Sequence, residues 1–147
     1  MKKTVILKLF LVLFPVLAVA LATTSDSVTV FSVATGETQY FSYFDVLPIG
    51  DFSMVTPLTA MLSALSGVLA AVYMAKKNPA VLKYVSYAAL ASAALAAVPM
   101  IRREEFLVIP NAALPIFMML EYGVAYFLQK SAPDKAPKTK TPRLNRK

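Results

Sequence analysis

Cysteine and histidine are both missing from this chain of 147 residues. Their absence removes disulfides, thiol catalysis, thioether-linked haem and histidine metal centres. Asn78, Asn111 and Asn145 each lack a hydroxyl residue two places on, so there is no N-glycosylation acceptor. Gly-x-Ser-x-Gly, His-Glu-x-x-His, a phosphate-cradling glycine loop and paired intramembrane carboxylates do not occur either. The sequence therefore predicts a protein that is not an enzyme and carries no cofactor. An outward loop without disulfide or glycan signals suits a bacterial membrane.

Charge is missing over long stretches. Met54–Ala75 holds none across 22 residues, and Tyr84–Ile101 none across 18. At about 1.5 Å per residue these reach roughly 33 and 27 Å, close to one bilayer core each. Between them lies the short basic turn Lys76-Lys77-Asn78-Pro79. Cytoplasmic loops collect Lys and Arg, so this turn and Lys83 are expected inside the cell.

With 58% hydrophobic residues and a mean hydropathy of +0.63, the chain reads as a polytopic membrane protein. Its net charge of +7 is sorted rather than spread. Lys2, Lys3 and Lys8, then Lys76, Lys77 and Lys83, then the basic residues from Lys130 onward fall on one side of the expected topology. Asp26, Glu37, Asp45, Asp51, Glu104 and Glu105 fall on the other. Positive-inside insertion produces that pattern, whereas nucleic-acid binding does not require it.

The sequence predicts an all-α transmembrane fold, a four-helix bundle with a small extracellular β-hairpin between helices 1 and 2. The spans are placed at about 5–22, 54–75, 84–101 and 106–128, within a membrane domain covering 1–130. The protein is expected in the plasma membrane with both termini cytoplasmic. For the first segment two readings compete. The basic start and the apolar run to Ala20-Leu21-Ala22 fit a cleavable signal peptide. The same run also fits a retained span with Lys8 snorkelling to the inner headgroups.

The outward loop, 23–53, has four acids and no Lys or Arg. Ser27–Val33 and Gln39–Phe44 are rich in β-branched and aromatic residues and flank Ala34–Thr38 with its central glycine, a hairpin signal. A lone hairpin is marginal in water, so it is expected to pack on helix ends or a partner. Pro48 and Gly50 then turn the chain towards the membrane. Tyr40, Phe41, Tyr43, Phe44 and Phe52 serve either as interfacial anchors or, with Asp45, as a partner-binding surface. Asp45 and Asp51 offer a weak outward cation site.

Thr59, Ser63, Gly67, Ala71 and Ala75 recur at steps of four along the second span, a face on which a neighbouring helix can approach closely. The third span is alanine-rich, which places it centrally, and Pro99 lies near its outer end. Arg102-Arg103-Glu104-Glu105 turns the chain back into the fourth span, where Pro110, Asn111 and Pro115 predict distortion. Residues 131–147 predict a disordered basic tail that attracts anionic lipid, with no aromatic residues interleaved to stack on nucleic-acid bases.

Glu121 is the one acid well inside an apolar span. Burying it costs roughly 2.5–3.5 kcal/mol on insertion scales, so it needs a partner or a function. Lys8 enters from the same side and is the leading partner. Lys83 and the hydroxyls of Tyr73 or Tyr87 are alternatives. Asn111, Ser63, Ser66, Ser86 and Ser92 read as interhelical hydrogen bonders.

The segment Tyr40-Phe41-Ser42-Tyr43-Phe44-Asp45-Val46-Leu47-Pro48-Ile49-Gly50, followed by Pro57 at the start of a span, resembles small uncharacterised four-span proteins of Gram-positive bacteria. That resemblance spans residues 5–130 and implies a fold family, not an activity. The layout is also similar to claudin-like tetraspan proteins, but the Trp and both Cys of the claudin loop are absent. The expectation is thus a non-enzymatic membrane protein that binds a protein partner or a second copy of itself. It would do so through the aromatic loop or through the helix face of Ser63, Gly67 and Ala71. The alternative is a small transporter or channel subunit using Glu121, with Asn111 lining the path.

Overall fold

The computed structural model describes residues 2–24, 26–45, 47, 54–98 and 106–131. Four helices and three strands follow one another as α1 (Lys2–Ala22), β1 (Val28–Ser32), β2 (Thr38–Phe41), α2 (Val55–Lys76), α3 (Pro79–Ala97), β3 (Phe106–Pro110) and α4 (Ala113–Ser131). The Pro48–Gly50 turn, Asp51, Phe52, Pro99, the 102–105 link and the basic tail beyond 131 lie outside the described residues.

The helices form a ring in which each packs on two neighbours: α1 on α2, α2 on α3, α3 on α4, and α4 on α1. Cross-helix contacts fix which ends meet. Lys8 near the start of α1 lies over Tyr73 near the end of α2, and Gln129 at the end of α4 bonds to Leu82 at the start of α3. One pole of the bundle therefore collects Lys3, Lys8, Lys76, Lys77, Lys83 and Lys130, and the sheet closes the other. No helix is central. The alanine-rich α3 is nevertheless the most buried of the three most apolar helices, with 44% of its apolar window inside against 33% for α2 and 22% for α1.

Between α2 and α3 the turn is made by local chemistry. Lys77 adopts a left-handed conformation (φ 52°), and its N–H bonds to Tyr73 O at 2.8 Å, closing α2. Asn78 then accepts the N–H of Ala80 on its side chain, and Pro79 opens α3 where no N–H is needed. Pro15 lies inside α1 and is buried against Gly67 of α2. A Cβ at Gly67 would sit 3.3 Å from the Pro15 Cβ, so the glycine provides room for the ring.

The sheet differs from the expected lone hairpin. β1 and β2 pair antiparallel, with Gly36 at φ 71° in their connection. A third strand then pairs with the other edge of β1, giving the order β2-β1-β3 and matching Val28 with Pro110 and Ser32 with Phe106. Residues 106–110 were expected as the first turn and more of the fourth span. They form a strand because Phe106, Val108 and Ile109 are aromatic or β-branched, Pro110 disfavours helix just before it, and β1 offers an unpaired edge. The fourth helix begins only at Ala113. Pro115 falls in its first turn, where a missing N–H costs little, so the distortion expected around Pro110, Asn111 and Pro115 is replaced by a strand and a helix start.

Two apolar clusters fill the bundle. One, under the sheet, joins Val28, Val30, Tyr43 and Leu47 to Ala18, Ala22, Ala60, Ala89, Ala93, Leu114 and Met118. The second, at the basic pole, joins Leu11, Ala70, Tyr73, Leu82, Val85, Ala125 and Leu128. Outside, α1, α2 and α4 expose Leu9, Leu13, Val16, Met61, Leu65, Val68, Ile116, Met119, Leu120 and Phe127. α1, α2 and α3 are long and apolar enough to cross a membrane.

Candidate functional site

Glu121 stands at the divide between the two apolar clusters, between Met118 and Ala125 on α4. It is fully buried. Ser66 on α2 donates its hydroxyl to Glu121 Oε1 at 2.5 Å, across the diagonal of the ring. The other oxygen, Oε2, meets no donor among the described residues. The expected pairing with Lys8 does not form, because the Lys8 ammonium lies 5.9 Å from the centroid of the Tyr73 ring. Tyr73 is seven residues along α2 from Ser66, roughly 10 Å of helix rise, which leaves Lys8 too far down the bundle. A carboxyl oxygen left without a donor in such a core is held at a cost of about 1–3 kcal/mol.

Further hydrogen bonds tie the helices together nearby. Ser63 on α2 and Ser92 on α3 are 2.7 Å apart, and both reach Thr59 O, at 2.9 and 3.1 Å. Two hydroxyl protons thus serve three short contacts. Towards the basic pole, Gln129 donates from Nε2 to Leu82 O at 2.9 Å and to Ser86 Oγ at 2.6 Å. Gln129 was not singled out in the sequence. Its signal is a position two residues before the helix end, eight residues (two turns and more) beyond Glu121 on the same helix.

The stepped stripe on α2 divides between two neighbours. Ser63 faces α3, Gly67 faces Pro15 of α1, and Ala71 is exposed. Steps of four residues advance about 400° around a helix of 3.6 residues per turn, so the stripe winds away from any single face. Buried α2 positions instead include Thr56, Thr59, Ser63, Ser66, Ala70 and Tyr73, which step by three and four, with Ala60 buried beside Thr59. Asn111 lies at the start of α4, where its side chain accepts the Ala113 N–H at 3.0 Å and its own N–H bonds to Ser27 O at 2.8 Å. It joins the helix to the sheet and is ten residues from Glu121.

In the aromatic segment the side chains separate sharply. Tyr43 is fully buried, its N–H bonded to Ala22 O at 3.0 Å and its hydroxyl without a partner among the described residues. Burial pushes its phenol well above the ordinary value. Phe41 packs partly against the same cluster. Asp45 Oδ2 accepts the Ser42 N–H at 2.7 Å and so holds a turn. Tyr40 and Phe44 are exposed. Across the sheet Tyr40 pairs with Thr29 and Thr29 with Ile109, so these three share one face, the one turned away from buried Val28 and Val30. Ile109 is exposed too, and was not singled out because its stretch was read as helix. Among the described residues no group of three His, Cys, Asp or Glu could hold a metal ion. No family model, curated protein or solved structure matches this chain.

Proposed function

We propose that this is a non-enzymatic integral membrane protein that crosses the plasma membrane four times and binds a protein partner through its sheet pole. Both termini and the basic pole lie in the cytoplasm. Support for the membrane comes from the outward apolar side chains of α1, α2 and α4 and from the gathering of lysines at one pole. α4 is the least apolar helix, but its 19 residues reach roughly 28 Å, and it turns Glu121 inward while showing Ile116, Met119, Leu120 and Phe127 outward. α1 belongs to the mature protein in this reading, since Leu11, Ala18 and Ala22 are buried in the two clusters.

One observation carries the choice of surface. Ser63 and Gly67 of the small-residue face are used inside the bundle against α3 and α1, whereas the sheet pole is supported from below by Val28, Val30 and Tyr43 and turns Tyr40 and Ile109 outward. A pre-ordered apolar face loses little entropy on binding. Photo-crosslinking in native membranes from position 38, exposed on the same face of β2 as Tyr40, should capture a protein, and Tyr40→Ser with Ile109→Ser should abolish capture while leaving the thermal midpoint nearly unchanged. Capture that persists in the double variant sinks this reading.

A second reading, a transporter or channel subunit, rests on Glu121 Oε2, buried and without a donor among the described residues. Liposome flux that disappears in Glu121→Gln, with the fold intact, would favour it.

A further inference from the structure

At the basic pole a cleft of about 180 Å³ opens between α3 and α4. Its lining follows from helical spacing. α3 contributes Lys83, Ser86 and Tyr87, and α4 contributes Tyr122, Tyr126 and Gln129, so two facing stripes meet along the groove between the helices. Ser86 and Gln129 form the floor. The Ser86 hydroxyl donates to Leu82 O at 3.0 Å and accepts from Gln129 Nε2, which leaves the floor polar and internally satisfied. Tyr122 stacks against Tyr126 with ring centroids 6.4 Å apart and makes one wall. The mouth is formed by Lys83, Tyr87 and Tyr126, all exposed.

Every donor still available at this mouth, the Lys83 ammonium and the tyrosine hydroxyls, suits an anion rich in oxygen acceptors. No described carboxylate competes for Lys83. Asp26, Glu37 and Asp45 lie at the sheet pole, and Glu121 is buried against Ser66. Lys130 stands one turn beyond Tyr126 on the same side of α4 and adds positive charge at this level. The cleft is smaller than the roughly 300–1,000 Å³ typical of whole-ligand pockets, so it fits one compact group rather than a metabolite.

We propose that this cleft binds a phosphate group, with Lys83 supplying the charge and Tyr87 and Tyr126 the hydroxyl donors. It lies at the depth where the inner headgroups of a bilayer sit, so the phosphate of an anionic lipid is the first source and free phosphate the second. The proposal rests on the membrane reading above and goes beyond the diffuse lipid attraction of a basic tail by naming a structured site.

Native mass spectrometry of the purified full chain in mild detergent, mixed with equal phosphatidylglycerol and phosphate-free diacylglycerol, tests it. Phosphatidylglycerol should be retained in preference. Lys83→Gln should lower that retention roughly fivefold, while Lys77→Gln, at the same pole but outside the cleft, should leave it unchanged. Excess inorganic phosphate separates the sources: displacement of the lipid makes phosphate alone sufficient, and persistence makes the lipid the ligand. Equal retention of the two lipids, or losses that are absent or equal in the two variants, overturns the proposal. The membrane reading fails on a different result, release of the protein from isolated membranes by alkaline carbonate.

Discussion

Tyr43 illustrates how much a single side chain settles. Its ring fills the space beneath the sheet, yet its hydroxyl has no partner there among the described residues. A buried hydroxyl without a bond costs about 1–3 kcal/mol, so Tyr43→Phe should leave the fold intact and raise the thermal midpoint. The same residue gives a pH dependence with a definite sign. Burial raises the phenol above its ordinary value of 10.0, so the folded state holds the proton more tightly than the unfolded chain. Stability from this source is complete below pH 10.0 and is lost as pH rises above it. Thermal melts of the wild type minus those of Tyr43→Phe should show a difference that widens only on the alkaline side. Sequence alone grouped Tyr43 with Tyr40 and Phe44 as aromatics of one loop. Hydropathy has no means of telling which ring turns inward, because that depends on a strand ending at Phe41.

At the scale of elements, two positions make sharp tests. Lys77 pays for a left-handed backbone that glycine adopts freely, so Lys77→Gly should stabilise the α2–α3 turn by about 1 kcal/mol in chemical denaturation of the detergent-solubilised protein. Gly67→Leu should do the reverse, forcing α1 away from α2 at Pro15 and costing about 1–3 kcal/mol, with a smaller effect for Gly67→Ala. The helices α1, α2 and α3 were legible because each holds a long charge-free run bordered by a lysine, Lys8 before the first, Lys76 after the second and Lys83 before the third. Phe106–Pro110 was not. Five apolar residues carry no period that separates helix from strand, and the edge that captured them lies some 75 residues earlier in the chain. Glu121 was legible as an anomaly, since one acid in an apolar run stands out. Its partner was not, because choosing Ser66 over Lys8 requires knowing the vertical offset between α1, α2 and α4.

For the whole molecule, the absence of cysteine makes the proposed topology easy to probe. In intact cells a membrane-impermeant thiol reagent should modify Thr35→Cys in the β1–β2 connection. It should spare Lys77→Cys until the membrane is opened, and the reverse pattern would invert the protein. The strand order β2-β1-β3 has a further consequence for how the molecule comes together. β1 is made early and acquires β2 within a few residues, but its other neighbour is synthesised only after α2 and α3 are complete. Until then the cap is a latch without its catch, with one edge of β1 bare. A ribosome stalled after α3 would leave that edge open to pairing with other chains or to proteolysis. The arrival of Phe106–Pro110 therefore acts as a completion signal: the cap closes only on a chain whose interior helices have already been delivered.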